Sequence, residues 1–134
     1  MPPELAETAL SAVDAWEDGT SYEYQASVVV SQDCVSDAWC LVLVDHISEC
    51  NAQAYQGADE QIGGCTEVKR KRIEIVRGLS ADLTLSLLMH EIGHSVGLPD
   101  DLSGSGGLMD PHRSTSGAAV DADTLAAFRA EMAR

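Results

Sequence analysis

The sequence predicts an α+β fold: a twisted mixed sheet, a long helix packed behind it and a small C-terminal subdomain. Apolar residues recur at three- and four-residue spacing in three stretches, near residues 4–17, 81–96 and 121–133. Strand-length apolar runs, Val28-Val29-Val30 and Leu41-Val42-Leu43-Val44, fall between the first two. The 134 residues suit one domain, with an upper part spanning about residues 1–97 and a lower part about 98–134. With 45% apolar residues and no low-complexity tract, the chain should be globular.

The first helix is expected over residues 4–17, with Leu5, Ala9, Ala12, Val13 and Trp16 on one side and Gly19 as its stop. Tyr22 to Val30 and Trp39 to Val44 read as strands, separated by the turn-like Ser31-Gln32-Asp33-Cys34-Val35-Ser36-Asp37. Residues 46–67 read mostly as loop with room for one short strand, and Val68 to Val76 as a further strand. Ser80 is placed as the N-cap of the second helix, with Asp82 in its first turn where a negative charge complements the helix dipole. Leu83, Leu87, His90 and His94 line one side of that helix; Leu85, Leu88, Met89, Ile92 and Val96 line much of the rest, so it should be buried nearly all round. Gly97 is the natural residue to follow it, and Pro99 forbids continuation. Residues 101–119 read as Gly- and Ser-rich loop apart from Leu108-Met109-Asp110-Pro111. Asp121 to Ala133 should form the last helix, with Leu125, Phe128 and Met132 facing inward.

Four cysteines, at 34, 40, 50 and 65, match no zinc-ribbon or zinc-finger spacing. Two disulfides in an oxidising compartment are the better expectation, with Cys34–Cys40 and Cys50–Cys65 chosen from three connectivities. Met1-Pro2-Pro3-Glu4 has neither the basic nor the apolar region of a secretory leader, so secretion would imply a processed form. No apolar run approaches the length of a membrane span. With 22 acidic and 8 basic residues, the net charge of −14 repels nucleic acid, except at the run Lys69-Arg70-Lys71-Arg72. That run is expected to be a solvated strand face guarding a sheet edge; sharper readings are a docking patch for acidic side chains or a site of proteolytic nicking. So acid-rich a surface with only two lysines resembles that of proteins from salty environments.

The chemistry concentrates in His90-Glu91-Ile92-Gly93-His94-Ser95-Val96-Gly97-Leu98-Pro99-Asp100. Four residues along a helix return a side chain to nearly the same face, so His90 and His94 can offer two imidazole nitrogens to one metal ion. Glu91, one residue on, points aside and reaches the water that such an ion activates, as a general base should. Two histidines leave zinc under-coordinated. Gly97 can turn the chain back, and Asp100 could then supply the third ligand. Three protein ligands and a water make a catalytic zinc site; a structural one fills all four positions with protein.

This string resembles the metzincin signature H-E-x-x-H-x-x-G-x-x-[HD]. Its aspartate form is similar to the snapalysins, small secreted neutral metalloproteases. Metzincins carry a methionine turn beneath the zinc, and Leu108-Met109-Asp110-Pro111, nine residues after Asp100, looks like it. The resemblance is strong over residues 80–112 and elsewhere rests on element order alone. No tyrosine stands two residues past Met109, where some members have an extra ligand. The resemblance implies a secreted, monomeric zinc endopeptidase with metal ligands His90, His94 and Asp100 and catalytic Glu91. It would act on peptide or protein substrates, with no nucleic-acid or membrane partner. An extended peptide should lie antiparallel to an edge strand, with loop residues 101–119 walling one side of the cleft.

Asp101 rivals Asp100 as third ligand, although Asp100 has the motif spacing. His46, at a strand end, and His112, just past the methionine turn, read as bystanders. Two other functions stay open: a zinc hydrolase of a non-peptide substrate, and a metal-binding module without turnover. The intact Glu91 argues against the second, because a pure binder gains nothing from a base there.

Overall fold

The structure is a computed structural model that describes residues 3–21, 23–24, 39–45, 64–67, 71–101, 107–110 and 119–134. Within them the chain is a small α+β domain of three helices and a three-stranded mixed sheet. The elements run α1 (Pro3–Gly19), β1 (Cys40–Val44), β2 (Gly64–Glu67), β3 (Arg72–Val76), α2 (Ala81–Ser95) and α3 (Ala122–Met132).

Helix α1 follows the predicted period, burying Ala6, Ala9, Ala12, Val13 and Trp16. It continues to Gly19, where a Cβ would stand 2.7 Å from Cβ of Val120. Thr20 closes the end. Its hydroxyl donates to the Trp16 carbonyl at 2.7 Å and accepts the Tyr24 N–H at 3.0 Å. Glu23 and Tyr24, placed in a strand by the sequence, therefore form a bend; residues 25–30 of that expected strand lie outside the described residues. The indole of Trp16 donates to the Met89 carbonyl at 2.9 Å and so ties α1 to α2. Trp16, Tyr24 and Phe128 form an aromatic triangle with centroids 5.6, 6.0 and 6.4 Å apart, joining α1 to α3. Each such pair contributes about 0.5–1.5 kcal/mol beyond its buried area.

The strand order is β1-β3-β2, with β1 parallel and β2 antiparallel to β3. This corrects the expected strand over 68–76. Lys71 is a turn residue with φ 51°, and the chain reverses between β2 and β3. Of the basic run, Lys71 thus lies in a turn and Arg72 opens the central strand of the described sheet, while Lys69 and Arg70 lie outside the described residues. There Arg72 Nε lies 3.0 Å from Oε2 of the fully buried Glu74. At Arg72 the reading as an edge-guarding strand face is corrected, because that residue is paired on both sides, with Cys40 and with Glu67.

Alternation divides the sheet into two faces. Leu41, Leu43, Ile73 and Ile75 belong to the core shared with α2, and Thr66 points the same way, to Glu91. Cys40, Cys65, Arg72 and Glu74 lie on the other face by register. Helix α2 packs against β2 and β3 on one side and against α1 on the other.

Cys40 and Cys65 are both disulfide-bonded. They cannot be bonded to each other: they stand on strands flanking β3, opposite Arg72 and Glu74 respectively, so two strand spacings put them more than about 9–10 Å apart, and a disulfide spans about 4.4–6.8 Å between Cα atoms. Each is therefore bridged to a cysteine outside the described residues, which removes one of three connectivities. The expected partners Cys34 and Cys50 lie outside the described residues.

Helix α2 starts as predicted, Ser80 Oγ accepting the Leu83 N–H at 3.2 Å. Its burial is continuous only over Leu88–Gly93, while Ala81 and Asp82 are exposed. At the other end Gly97, at φ 98°, allows Leu98 N–H to reach the Gly93 carbonyl and Gly97 N–H to reach that of His94, both at 3.0 Å. This is the left-handed glycine stop that the sequence predicts. In α3, Thr124 and Phe128 are buried, but Met132 is 53% exposed. Its inward placement is corrected: Met132 is the last helical residue and lies beyond the edge of the core.

Candidate metal centre

His90 and His94 fall one turn apart on α2, their rings edge to face with centroids 4.7 Å apart and their Nε2 atoms 3.1 Å apart. Asp100 comes back toward them after the Gly97 turn. Its Oδ1 lies 3.0 Å from both Nε2 atoms. Three potential ligand atoms thus form a nearly equilateral triangle, built from one helical turn and the reversal that ends it.

The outer nitrogens of both rings are committed to backbone. His90 Nδ1 lies 2.8 Å from the Leu108 carbonyl and His94 Nδ1 2.7 Å from that of Leu98. A carbonyl only accepts, so each Nδ1 carries the hydrogen, and a ring in its neutral form then turns an Nε2 lone pair inward. A carboxylate oxygen is likewise an acceptor. Accordingly Asp100 Oδ1 is buried without a hydrogen-bond partner. Three converging acceptors repel one another unless a positive charge joins them.

The electrostatics agree. Burial pulls the His94 imidazole down, but the Asp100 side chain, the Glu91 charge and the Leu98 carbonyl outweigh it and raise its pKa. Burial pushes the Asp100 carboxyl up, but the contacts with His90 and His94 outweigh it and hold it well below the usual carboxylate range. Either a proton or a metal ion satisfies such a group, and a metal competes for it by displacing the proton.

The residues present fit a metal ion. Tetrahedral bonds of about 2.0–2.1 Å separate ligand atoms by about 3.3–3.4 Å, within a few tenths of an ångström of the spacing here. His90, Glu91 and His94 form a group able to hold an ion, with candidate ligand atoms within 4.8 Å of one another. The His90 side chain is 2% exposed and that of His94 19%, so solvent reaches the site from the His94 and Asp100 side.

Glu91 is buried beside the triangle. Its Oε1 accepts the Thr66 hydroxyl at 2.7 Å, across from β2. Beneath the histidines, residues 107–110 form a tight turn, Asp110 N–H reaching the Gly107 carbonyl at 3.0 Å. Met109 there is buried against the bare Cα of Gly93; a Cβ on Gly93 would collide with its sulfur and stand 2.9 Å from its Cε.

The structure therefore brings His90, Glu91, His94, Asp100 and Met109 together. Asp101 contributes its N–H to the Met109 carbonyl at 2.8 Å, while the carboxylate at the histidines is that of Asp100. His46 and His112 lie outside the described residues. Sequence reasoning missed Thr66, whose role depends on strand register, and the carbonyls of Leu98 and Leu108, which no side-chain pattern can signal. It also missed the Asp121 carboxylate, which accepts the Leu108 N–H at 2.7 Å and the Thr124 N–H at 2.9 Å.

Fold and site together define an α+β domain with a candidate metal centre at the C-terminal end of α2. No family model, curated protein or solved structure matches the chain.

Proposed function

We propose that the protein is a zinc-dependent endopeptidase of metzincin type, secreted and monomeric, acting on peptide or protein substrates. The observation that carries this reading is the triangle of His90 Nε2, His94 Nε2 and Asp100 Oδ1 at 3.0–3.1 Å, with Glu91 held beside it. Two imidazoles and one carboxylate suit zinc, and three protein ligands leave a position open, as catalytic sites require. When bound there, zinc supplies Lewis-acid polarisation of the scissile carbonyl and brings the pKa of a water toward neutrality.

The chain's own residues do the rest. The carbonyls of Leu98 and Leu108 fix both imidazoles with Nε2 inward. Glu91 takes a proton as the water oxygen attacks the carbonyl carbon. It then gives that proton to the nitrogen as the C–N bond breaks. Substrate enters from the His94 and Asp100 side, where the triangle is less buried than at His90.

The test is metal analysis of the purified protein followed by digestion of a peptide library with and without chelator. Stoichiometric zinc and chelator-sensitive cleavage are expected. Zinc without cleavage of any peptide would instead favour the non-peptide hydrolase or the binding module.

A further inference from the structure

We infer that Thr66 is the positioning residue for Glu91, its hydroxyl holding in place the carboxylate that handles the proton. The inference rests on the reading of Glu91 as general base. Thr66 sits in β2 opposite Ile73, with its side chain on the face that meets α2. Among the described residues its one hydroxyl hydrogen has two acceptors within reach, both on Glu91: Oε1 at 2.7 Å and the backbone carbonyl at 3.1 Å. The carbonyl belongs to an α-helix, where the N–H four residues on already serves it. The carboxylate contact is the shorter and has the length of a charge-assisted O–H···O bond. The hydrogen therefore belongs to Oε1.

The bond fixes the orientation of the carboxylate that receives the proton. As water attacks, its O–H bond breaks, its oxygen bonds to the carbonyl carbon, and the Glu91 carboxylate carries the proton to the departing nitrogen as the C–N bond breaks. Gly64 makes room for the carboxylate. A Cβ at Gly64 would stand 3.3 Å from both Oε2 and Cγ of Glu91 and 3.0 Å from Cδ1 of Ile75. Strand β2 thus holds Glu91 with a hydroxyl and leaves space for its side chain with a bare Cα. Both residues have their side-chain positions on the same face because they are two apart.

Two measurements on the purified protein test this. In a peptide-cleavage assay, Thr66→Val should lower kcat about 10- to 100-fold with KM within about twofold, as a misplaced catalytic group does, and Thr66→Ser should recover most of the loss. Zinc content should not change. The second measurement is a denaturation cycle that needs no turnover. Thr66→Val should lower the folding equilibrium constant about tenfold in the parent and about twofold or less in a Glu91→Ala background, as expected when the lost bond goes to a charged group. An equal cost in both backgrounds overturns the inference, because the hydroxyl would then serve only the backbone. An unchanged kcat in a cleaving Thr66→Val variant also overturns it. If the parent cleaves no peptide, the proposed function falls, while the cycle still decides whether Thr66 holds the Glu91 carboxylate.

Discussion

The carboxylate of Asp121 accepts the backbone N–H of Leu108 at 2.7 Å. The carbonyl of the same Leu108 meets His90 Nδ1 at 2.8 Å, so the N-cap of α3 reaches the candidate metal centre through one residue. Asp121 also caps its own helix, accepting Thr124 N–H and the Thr124 hydroxyl, both at 2.9 Å. Gly107 permits the approach, since a Cβ there would stand 2.9 Å from Oδ2 of Asp121.

Asp121→Asn should weaken the protein, most clearly near neutral pH; loss of a cap costs about 0.5–2 kcal/mol. Burial pushes the Asp121 carboxyl up, but the N–H groups of Leu108 and Thr124 outweigh it and lower its pKa from 3.8. A depressed pKa contributes stability above the ordinary carboxylate value, and that stability is lost as pH falls through the folded pKa. Denaturation curves of parent and variant should therefore converge below about pH 3.8. A difference that stays constant down to strong acid would assign the effect to packing.

Gly93→Ala should destabilise the fold, although alanine is the better helix former by about 1 kcal/mol. The new methyl would collide with the Met109 sulfur and stand 3.4 Å from Cζ2 of Trp16. Overpacking of this kind costs about 1–3 kcal/mol and outweighs the helical gain. Chemical denaturation measures the balance, and a more stable Gly93→Ala protein would show that Met109 does not pack there.

Asp100→Ala should lose zinc readily and Asp101→Ala should keep it, because the carboxylate 3.0 Å from both histidine Nε2 atoms is that of Asp100. Asp100→His should restore binding, as an imidazole is an equally good zinc ligand. Metal content after dialysis decides; loss from Asp101→Ala alone would move the third ligand by one residue.

Glu91→Ala should retain stoichiometric zinc yet lose cleavage by about 10²–10⁴-fold, the usual contribution of a positioned general base. His94→Ala should lose metal, activity and stability together, since metal affinity is linked to folding. Because a Glu91 oxygen lies close enough to join a metal group with the histidines, loss of zinc from Glu91→Ala would reassign it as a ligand.

Salt should raise the melting temperature. At a net charge of −14 the surface repels itself, and ions screen that repulsion. A scan from low to molar NaCl measures the shift, and a flat or falling trend would remove the argument for a salty environment.

The sequence by itself determined what depends on neighbours along the chain. The Ser80 cap, the course of α2, the stop at Gly97 and the shared face of His90 and His94 all follow from contacts within about four residues, which local residue types control. The Asp100 position was legible for the same reason, as a short reversal follows Gly97. Tertiary structure alone decided whatever depends on partners far along the chain. Strand pairing put Lys71 in a turn, set Cys40 and Cys65 on strands too far apart to bond, and turned Thr66 toward Glu91, 25 residues away. Packing decided that Met132 stays exposed and that Met109 lies on Gly93. An apolar side chain records that it can be buried, but which surface buries it is set only when distant elements meet.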